Sequence, residues 1–440
     1  MFTKLLHPGN IIAALFLLFS CTTTKPIPKM ENKPVFSSTP VIPDSNTTDL
    51  FLEGLMKQYP QYFDSVLQNR KEWNVQVIYT QVNRLQDGSP ELEHHYFNMD
   101  ASRYFYPAST VKLPITLLAL QRLNELKQKG IDRNTTMITE TAYSGQSVVY
   151  NEPTTADGKP SIAHYIKKIL MVSDNDAFNR LYEFLGQEYI NNELHKKGYA
   201  DAQILHRLNI FLSEEENRQT NPVRFLDSGN NVLFEQKAQR NKGQFSPRND
   251  FLGKGYYKGS QLINEPMNFS KKNRISLPDL HNILISLVFP TKVELKQRFN
   301  LTDEDKQFVF KYMSQLPTES NYPPYGDDTI NFWPTYGKFL LIGKKGKLPE
   351  KVRIFNKIGD AYGQMIDIAY IVDFKNKVEF FLSATIYCNR DGILNDDKYD
   401  YDSIGLPFMQ HLGQVIYDHE LKRERKIKPD LSPFIFKYDK

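Results

Sequence analysis

The sequence predicts an α+β fold in which strands from both ends of the chain accompany a helical middle. Residues 74–84 alternate between apolar and polar, and residues 91–99 follow after the turn signal Asp87-Gly88, which predicts a hairpin. Late in the chain, three segments rich in β-branched and aromatic residues follow one another closely. These three predicted strands are 352–357, 367–374 and 378–387.

Predicted helices precede, separate and follow these strands. Residues 49–73 predict a helix that Pro60 interrupts, and residues 407–422 predict a closing helix. The helices expected between them are 113–126, 162–186 with a break at 173–175, a short one within 189–205, 276–289, and one that opens at 302–305. Residues 206–273 are polar and rich in Gly and Asn, and too long for an ordinary loop, so we expect a functional insertion or a small subdomain.

Composition excludes several classes of function. The net charge is only +4, so a nucleic-acid partner has no support. The nine His residues show no metal-ligand spacing, and no Gly-x-Ser-x-Gly motif occurs. We therefore expect no metal, no cofactor and no nucleic acid.

The first 21 residues have the layout of a bacterial secretory signal. A short apolar run ends in Leu18-Phe-Ser-Cys21, which resembles the lipobox of bacterial lipoproteins, with Cys21 as the lipidated residue. The alternative is an ordinary cleaved signal with an incidental cysteine. Residues 22–48 predict a flexible tether, so we expect a lipid-anchored protein on the periplasmic side of a bacterial membrane, most simply the outer one. The remaining cysteine, Cys388, is then expected to be a buried thiol.

Ser109 stands three residues before Lys112, at the start of a strongly apolar helical run. Side chains at this spacing share one helix face, so the hydroxyl and the amine can meet. A serine nucleophile needs such a base, and a lysine serves as one only if its pKa is lowered. Ser-x-x-Lys alone is expected about one to three times by chance in a chain of this composition.

Two further motifs raise the weight of this pair. Ser173-Asp-Asn175 interrupts a helix with short polar side chains, although alone it would be an unremarkable helix cap. A Lys-x-Gly occurs at Lys357, and also at Lys196 and Lys344, but only Lys357 ends a predicted strand and leads into two more. In this order, the three motifs resemble those of class A β-lactamases and penicillin-binding proteins.

This resemblance covers about residues 49–422 and implies a fold in two parts. An antiparallel sheet is flanked by the terminal helices, and a mainly helical part, inserted between its strands, carries Ser109 and Ser173. The implied domain is 49–430 with an insertion at about 206–273, followed by a tail at 431–440. We expect the basic residues after the closing helix (Lys422, Arg423, Arg425, Lys426 and Lys428) to be solvated.

The resemblance also implies a mechanism. Ser109 attacks an amide or β-lactam carbonyl, Lys112 accepts its proton, and Ser173 passes a proton to the leaving nitrogen. Asn175 holds Lys112 and the substrate amide, while Lys357 supplies positive charge. Gly359 and Asp360 follow Lys357, and the backbone N–H groups of Ser109 and Asp360 are the implied oxyanion hole. β-Lactam breakdown, and with it antibiotic resistance, is the implied activity.

Three departures from the family pattern matter. Ile358 stands where the family usually has Thr or Ser, so a hydroxyl that helps to bind the substrate carboxylate is missing. The loop glutamate that activates the deacylating water has no clear counterpart, and Glu214, Glu215 and Glu216 are the nearest candidates, although they could equally form a solvated face. The separation between Ser173 and Lys357 is also longer than usual because of residues 206–273.

Two alternatives to a β-lactamase stay open. A peptidoglycan D,D-peptidase, or another amidase or esterase, would use the same fold and the same serine. A catalytically weak surface lipoprotein that binds cell-wall or glycan fragments through its aromatic loops would not need the Ser109 hydroxyl. The fate of an acyl adduct on Ser109 distinguishes the first alternative, and ligand binding after Ser109→Ala distinguishes the second.

Overall fold

The structure is a computed structural model that describes residues 47–126, 130–344 and 346–440. The predicted signal segment 1–21 with Cys21, and nearly all of the predicted tether 22–48, lie outside the described residues. In these described ranges, none of the helices combines the length and apolar character that crossing a bilayer requires.

The helices and strands follow the predicted order. The helices are α1 (Leu50–Lys57), α2 (Pro60–Gln68), α3 (Lys112–Leu126), α4 (Ile162–Val172), α5 (Asn175–Leu185), α6 (Gln187–Lys196), α7 (Glu214–Arg218), α8 (Leu277–Val288), α9 (Asp303–Ser314) and α10 (Leu406–Lys422). The strands are β1 (Gln76–Arg84), β2 (Pro90–Phe97), β3 (Thr136–Thr139), β4 (Gln219–Thr220), β5 (Val223–Leu226), β6 (Val232–Gln236), β7 (Gln239–Arg240), β8 (Phe251–Leu252), β9 (Gly255–Lys258), β10 (Gln261–Ile263), β11 (Met267–Asn268), β12 (Val352–Ala361), β13 (Gln364–Asp373), β14 (Val378–Tyr387) and β15 (Ile393–Leu394).

The central sheet joins the two ends of the chain and confirms the predicted α+β fold. Its five strands lie in the order β12-β13-β14-β1-β2, and every neighbouring pair is antiparallel. The N-terminal hairpin therefore pairs with the last long strand, for example Val77 opposite Ala384. Because β13 and β14 are buried along nearly their whole length, the sheet has helices on both faces.

The alternation of side chains along β1 assigns these helices to the two faces of the sheet. Ile78 and Val82 belong to the core formed with α3, α4, α5 and α8, whereas Val77 and Tyr79 belong to the core formed with α1, α2 and α10. The terminal helices thus cover one face, and the helical part between the strands covers the other. This is the two-part arrangement that the sequence predicts.

Local capping explains where several helices start. Pro60 opens α2 and separates it from α1, as its missing N–H requires. The Ser276 hydroxyl accepts from the N–H of Asp279 at the start of α8, and Thr302 and Asp305 form a capping box on α9. These ends are fixed by residues within one turn of the helix, which is why sequence patterns locate them.

Strand β12 is longer than its sequence pattern predicts. It continues through Lys357 to Ala361 and pairs with β13 over all ten residues. Tyr362 and Gly363 then form a tight turn, and both have positive φ, 52° and 77°. Lys357 consequently lies within the strand rather than at its end.

Residues 206–273 form a subdomain of short strands rather than a plain loop. They hold α7 and the strands β4 to β11, which pair into small sheets, and β5 also pairs with β3 from the preceding segment. The region is thereby joined to the helical part by backbone hydrogen bonds.

The expectation of solvated basic residues after the closing helix holds for Lys422, Lys426 and Lys428, which are exposed, and is wrong for Arg423 and Arg425. Arg423 and Arg425 both donate to the carboxylate of Glu420, which is fully buried and also accepts from the Tyr79 hydroxyl at 2.5 Å. Residues 431–440, expected to be a tail beyond the domain, pack on it through Phe434, which is 5% exposed. The basic composition did not reveal the buried carboxylate or the aromatic groove that hold this segment.

Phe434→Ala should cost about 3–5 kcal/mol of unfolding free energy, because the ring packs against Phe310, Phe355 and Tyr370 at centroid distances of 5.1–5.4 Å. Urea unfolding of the two proteins measures the difference. Ile435→Ala is the matched control, since Ile435 is 65% exposed and its loss should stay within about 0.5 kcal/mol. Equal effects at both positions would contradict the packing of this segment.

Candidate active site

Ser109 lies in a tight turn directly before a buried helix. Residues Ala108–Val111 form one turn of 3₁₀ helix, and α3 starts at Lys112. Ala108 has a φ of 46°, a left-handed conformation that is costly for alanine. The turn thus holds the residue before Ser109 in an unfavourable conformation that the surrounding packing must maintain.

The amine of Lys112 occupies the centre of the site. Its Nζ lies 2.8 Å from the Ser109 Oγ and 2.7 Å from the Asn175 Oδ1, and it donates to the backbone carbonyl of Ser173. The Ser173 Oγ lies 3.2 Å away. Lys112 is fully buried, so every polar group that it meets is one of the protein's own.

The break between α4 and α5 brings Ser173 and Asn175 to Lys112. Ser173 ends α4 in a left-handed conformation with φ of 60°, and the carboxylate of Asp174 caps α5 by accepting from the N–H of Ala177. The reversal directs the hydroxyl and carbonyl of Ser173 towards Lys112. Local turn chemistry therefore produces part of the site.

Lys357 approaches the same hydroxyl from the sheet. Its Nζ donates to the Ser173 Oγ and to the carbonyl of Ile358, each at 2.8 Å, and the residue is 2% exposed. A continuous path of polar contacts thus runs from Lys357 through Ser173 and Lys112 to Ser109. The structure brings together all four residues, although they come from three distant parts of the sequence.

Burial changes the proton affinity of both amines. Burial lowers the pKa of Lys112 well below its usual value, and the positive charge of Lys357 lowers it further, against the opposing effect of Asp174 and Asp360. Burial also lowers the pKa of Lys357 to about 7. Burial therefore favours the neutral form of Lys112, which is the state that can accept a proton.

Gly359 permits the closest approach between the sheet and the serine turn. A Cβ on this residue would lie 2.8 Å from the Ser109 nitrogen and 2.9 Å from both the Pro107 oxygen and the Thr110 nitrogen. These are backbone atoms, which cannot move aside as a flexible side chain could. Gly359 therefore allows strand β12 to pass alongside the turn that carries Ser109.

Ser109 opens into a cavity of about 450 Å³. Asn175 and Asp360 line this pocket beside the nucleophile. The other lining residues are Tyr106, Ala108, Leu208, Asn209, Ala361, Tyr362, Asn395, Asp397, Tyr399 and Tyr401. A small amide substrate has room to reach the hydroxyl from this side.

Comparison with known proteins identifies the family. The model of the β-lactamase enzyme family matches residues 61–419, most of the chain. The chain belongs to the β-lactamase enzyme family. No curated protein matches the sequence.

Solved structures that are similar to this chain include β-lactamases and PBP-A. A class A β-lactamase from Clostridium kluyveri is 15% identical, with 82% of this chain and 98% of that one covered and a TM-score of 0.45. A β-lactamase from Desulfarculus baarsii is 12% identical, with 84% of this chain and 99% of that one covered and a TM-score of 0.46. A mutant of PBP-A in an acyl-enzyme complex with penicillin G is 14% identical, with 84% of this chain and 98% of that one covered and a TM-score of 0.43. The family assignment rests on the sequence match, since likeness at these scores carries no weight.

The three glutamates expected near the site are elsewhere in this member of the family. Glu214 pairs with Arg218 and Lys271, Glu215 pairs with Arg240, and Glu216 closes a capping box with Ser213. Glu214 lines a separate cavity, and none of the three lines the pocket that contains Ser109. In the described part of the chain, the carboxylates that line this pocket are Asp360 and Asp397.

The sequence did not predict a buried polar cluster that lies behind Lys357. Lys338 donates to Asn356 and to the carbonyls of Met313 and Ile354, all at 2.6–2.9 Å. Asn356 in turn donates to the carboxylate of Asp367 at 2.8 Å.

The same Asp367 carboxylate also accepts from the N–H groups of Phe339 and Leu340, at 3.2 and 3.0 Å. The cluster thus ties β12 to β13 and to the preceding loop directly behind Lys357. Asn356 and Asp367 stand in the same passage as Lys357, but nothing in the sequence indicated Lys338.

Gly359→Ala should reduce acylation of Ser109 by at least about tenfold, because the added methyl must push the serine turn away from the strand. The rate of adduct formation with an acylating ester, followed by intact mass, measures the effect. Gly54→Ala is the matched control, since no heavy atom lies within 4 Å of its added Cβ and it lies inside α1. That variant should keep its acylation rate, and an equal loss in both variants would contradict the role of the close approach.

Proposed function

We propose that this protein is a serine hydrolase that forms an acyl-enzyme at Ser109 with a β-lactam or a related amide. The observation that carries the proposal is the 2.8 Å contact between the Ser109 Oγ and the Nζ of a fully buried lysine. Membership of the β-lactamase enzyme family supports the reaction class.

The partners of Lys112 favour its action as a base. A neutral amine has two N–H donors and one lone pair. Asn175 Oδ1 and the Ser173 carbonyl can only accept, so they take the two N–H groups. The lone pair is then left for the hydroxyl of Ser109, which is the arrangement that proton abstraction requires.

Acylation then proceeds in balanced steps. The Ser109 oxygen bonds to the carbonyl carbon while Lys112 takes the hydroxyl proton. As the C–N bond breaks, Lys112 returns a proton through the Ser173 hydroxyl, which lies 3.2 Å away, to the leaving nitrogen. Lys357, bonded to the same hydroxyl, keeps it oriented. The proton that leaves serine ends on the product amine.

The backbone around Gly359 supports an oxyanion hole formed by the N–H groups of Ser109 and Asp360. Two converging N–H donors stabilise the negative oxygen of a tetrahedral intermediate, typically by about 2.7–4 kcal/mol for each donor. The close approach of Gly359, the neighbour of Asp360, to the Ser109 nitrogen supports this proposal.

A peptidase that releases its acyl group slowly is the second candidate. The observation that favours it is the position of Glu214, Glu215 and Glu216, none of which lines the pocket. Ile358 also favours the peptidase, because its side chain has no hydroxyl that could bind the carboxylate of a penicillin. Both candidates share the acylation step and differ in how the acyl-enzyme is hydrolysed.

Time-resolved intact mass of the protein mixed with a penicillin should show an adduct of one drug molecule that Ser109→Ala abolishes. The physical reason is that only Ser109 among the pocket residues has a base within hydrogen-bond distance of its hydroxyl. Thr110→Ser, which keeps a hydroxyl beside the site, is the control and should still form the adduct.

The fate of the adduct separates the candidates. An adduct that clears while the drug is consumed indicates a β-lactamase, and one that persists indicates a peptidase. An adduct that also forms in Ser109→Ala would overturn the proposed nucleophile. Failure of penicillins and simple esters alike to label Ser109 would instead favour a binding lipoprotein without catalysis.

The acylation rate should rise with pH and level off well below the pH at which an ordinary lysine titrates. Below its pKa, Lys112 is an ammonium without a lone pair, so the rate must fall as the solution becomes more acidic; burial places that pKa well below its usual value, so the plateau is reached early. Adduct formation measured from about pH 5 to about pH 9 tests this.

Lys112→Arg supplies the matched variant for the pH profile. Arg stays charged throughout this range, so the rate should drop by roughly 10²–10⁴-fold and lose the rise. A rate in the wild-type protein that keeps climbing to pH 10, where an ordinary lysine titrates, would count against a lowered pKa.

A further inference from the structure

We propose that the Ser109 pocket selects acyl substrates that carry a primary ammonium group, which Asp360, Asp397 and the Tyr106 hydroxyl bind. This inference rests on the proposed acyl-enzyme chemistry and adds to it the charge of the substrate. It concerns the class of amide that the site prefers, not the reaction that follows.

The charged side chains on the pocket wall are all acidic. Asp360 follows Gly359 at the end of β12, and Asp397 lies in the loop after β15, so two separate segments each supply a carboxylate. Both residues are exposed, and neither forms an ion pair with any residue that the structure describes. Lys, Arg and His are absent from the described lining of this cavity. A cationic group entering the pocket would therefore meet two carboxylates that lack an ion-pair partner among the described residues.

Tyr106 adds a buried polar group that faces the cavity. Its side chain is only 4% exposed, yet within the described ranges its hydroxyl has no hydrogen-bond partner. The hydroxyl oxygen is not sealed from solvent. The small part of Tyr106 that remains accessible therefore includes its hydroxyl. Burial raises the pKa of Tyr106, and a neutral phenol can accept a hydrogen bond from an ammonium group.

Aromatic faces complete the surroundings. The rings of Tyr106 and Tyr362 meet edge to face at 5.2 Å, and those of Tyr399 and Tyr401 lie 5.3 Å apart. The hydroxyls of Tyr399 and Tyr401 accept from the N–H groups of Asn395 and Gly363, which fixes the rings in the wall. The faces of tyrosine rings attract cations, by about 0.5–1 kcal/mol at exposed sites.

The two lysines of the site offer little to an anionic group. Lys112 and Lys357 lie beneath the pocket, 0% and 2% exposed, and the donors of Lys357 are directed to Ser173 and to the carbonyl of Ile358. Ile358 has no hydroxyl that could assist. A substrate carboxylate would thus face Asp360 and Asp397 with no cation among the described lining residues to offset the repulsion; Lys272 lies outside this lining, 5.9 Å from the centre of the Tyr362 ring.

The test compares three activated esters of equal length whose acyl chains end in an ammonium, a methyl or a carboxylate group. Each acylates by the same step: the Ser109 oxygen bonds to the carbonyl carbon, the alcohol leaves, and Lys112 relays the proton to it. We expect the ammonium ester to label Ser109 about tenfold faster than the methyl ester, and the carboxylate ester to be slowest. Added salt should narrow these ratios, because the attraction is electrostatic.

Variants of the pocket residues test whether these residues cause the preference for the ammonium ester. The double change Asp397→Asn with Tyr106→Phe should reduce the ratio of ammonium to methyl ester to about twofold or less. Asp402→Asn is the control of equal charge change, since Asp402 pairs with Lys344 at the surface and does not line the cavity. It should leave the ratio as in the wild-type protein.

The outcomes separate this inference from the function on which it depends. If all three esters label Ser109 at similar rates, the acyl-enzyme chemistry stands and the ammonium preference is wrong. The preference is equally wrong if the carboxylate ester reacts fastest, or if Asp402→Asn changes the ratio as much as the double variant does. If no ester labels Ser109, the proposed function fails and this inference fails with it.

Discussion

The site depends on one buried amine. Lys112 is enclosed at the start of α3, where the carbonyl of Ser173 and the amide oxygen of Asn175 take its N–H groups and the Ser109 hydroxyl meets its remaining face. Burying a charged amine is costly, so the protein favours the neutral form. Burial thus allows Lys112 to act as a base. The break between α4 and α5 supplies the two oxygen atoms that accept its N–H groups.

A second constraint is the contact between the sheet and the serine turn. The strand β12 passes so close to Ser109 that only a glycine fits at position 359. This contact fixes the distance between the two parts of the fold, and it places Lys357 next to Ser173. Buried hydrogen bonds from Lys338 to Asn356 and from Asn356 to Asp367 hold the strand on the side away from the pocket.

Sequence patterns located the elements whose cause is local. Pro60 marked the boundary of α2, and the cap of Ser276 marked the start of α8, because both act within one turn of a helix. Sequence patterns failed where a residue's environment is set by residues far along the chain. The basic residues after α10 looked solvated, yet Arg423 closes on the buried carboxylate of Glu420. For Glu214 the sequence left a deacylating role and a solvated face equally open, and the structure shows an exposed residue that pairs with Arg218 and Lys271.

By itself, the sequence determined the α+β class, the order of the elements and the family, and it named Ser109, Lys112, Ser173 and Lys357 before any geometry was known. These follow from short motifs and from periodicity, which are properties of neighbouring residues. Only the tertiary structure decided that the two lysines share one hydroxyl, that burial lowers the pKa of both amines, and that Asp397 joins the pocket. Burial and long-range contact are set by segments hundreds of residues apart, so no local pattern can contain them.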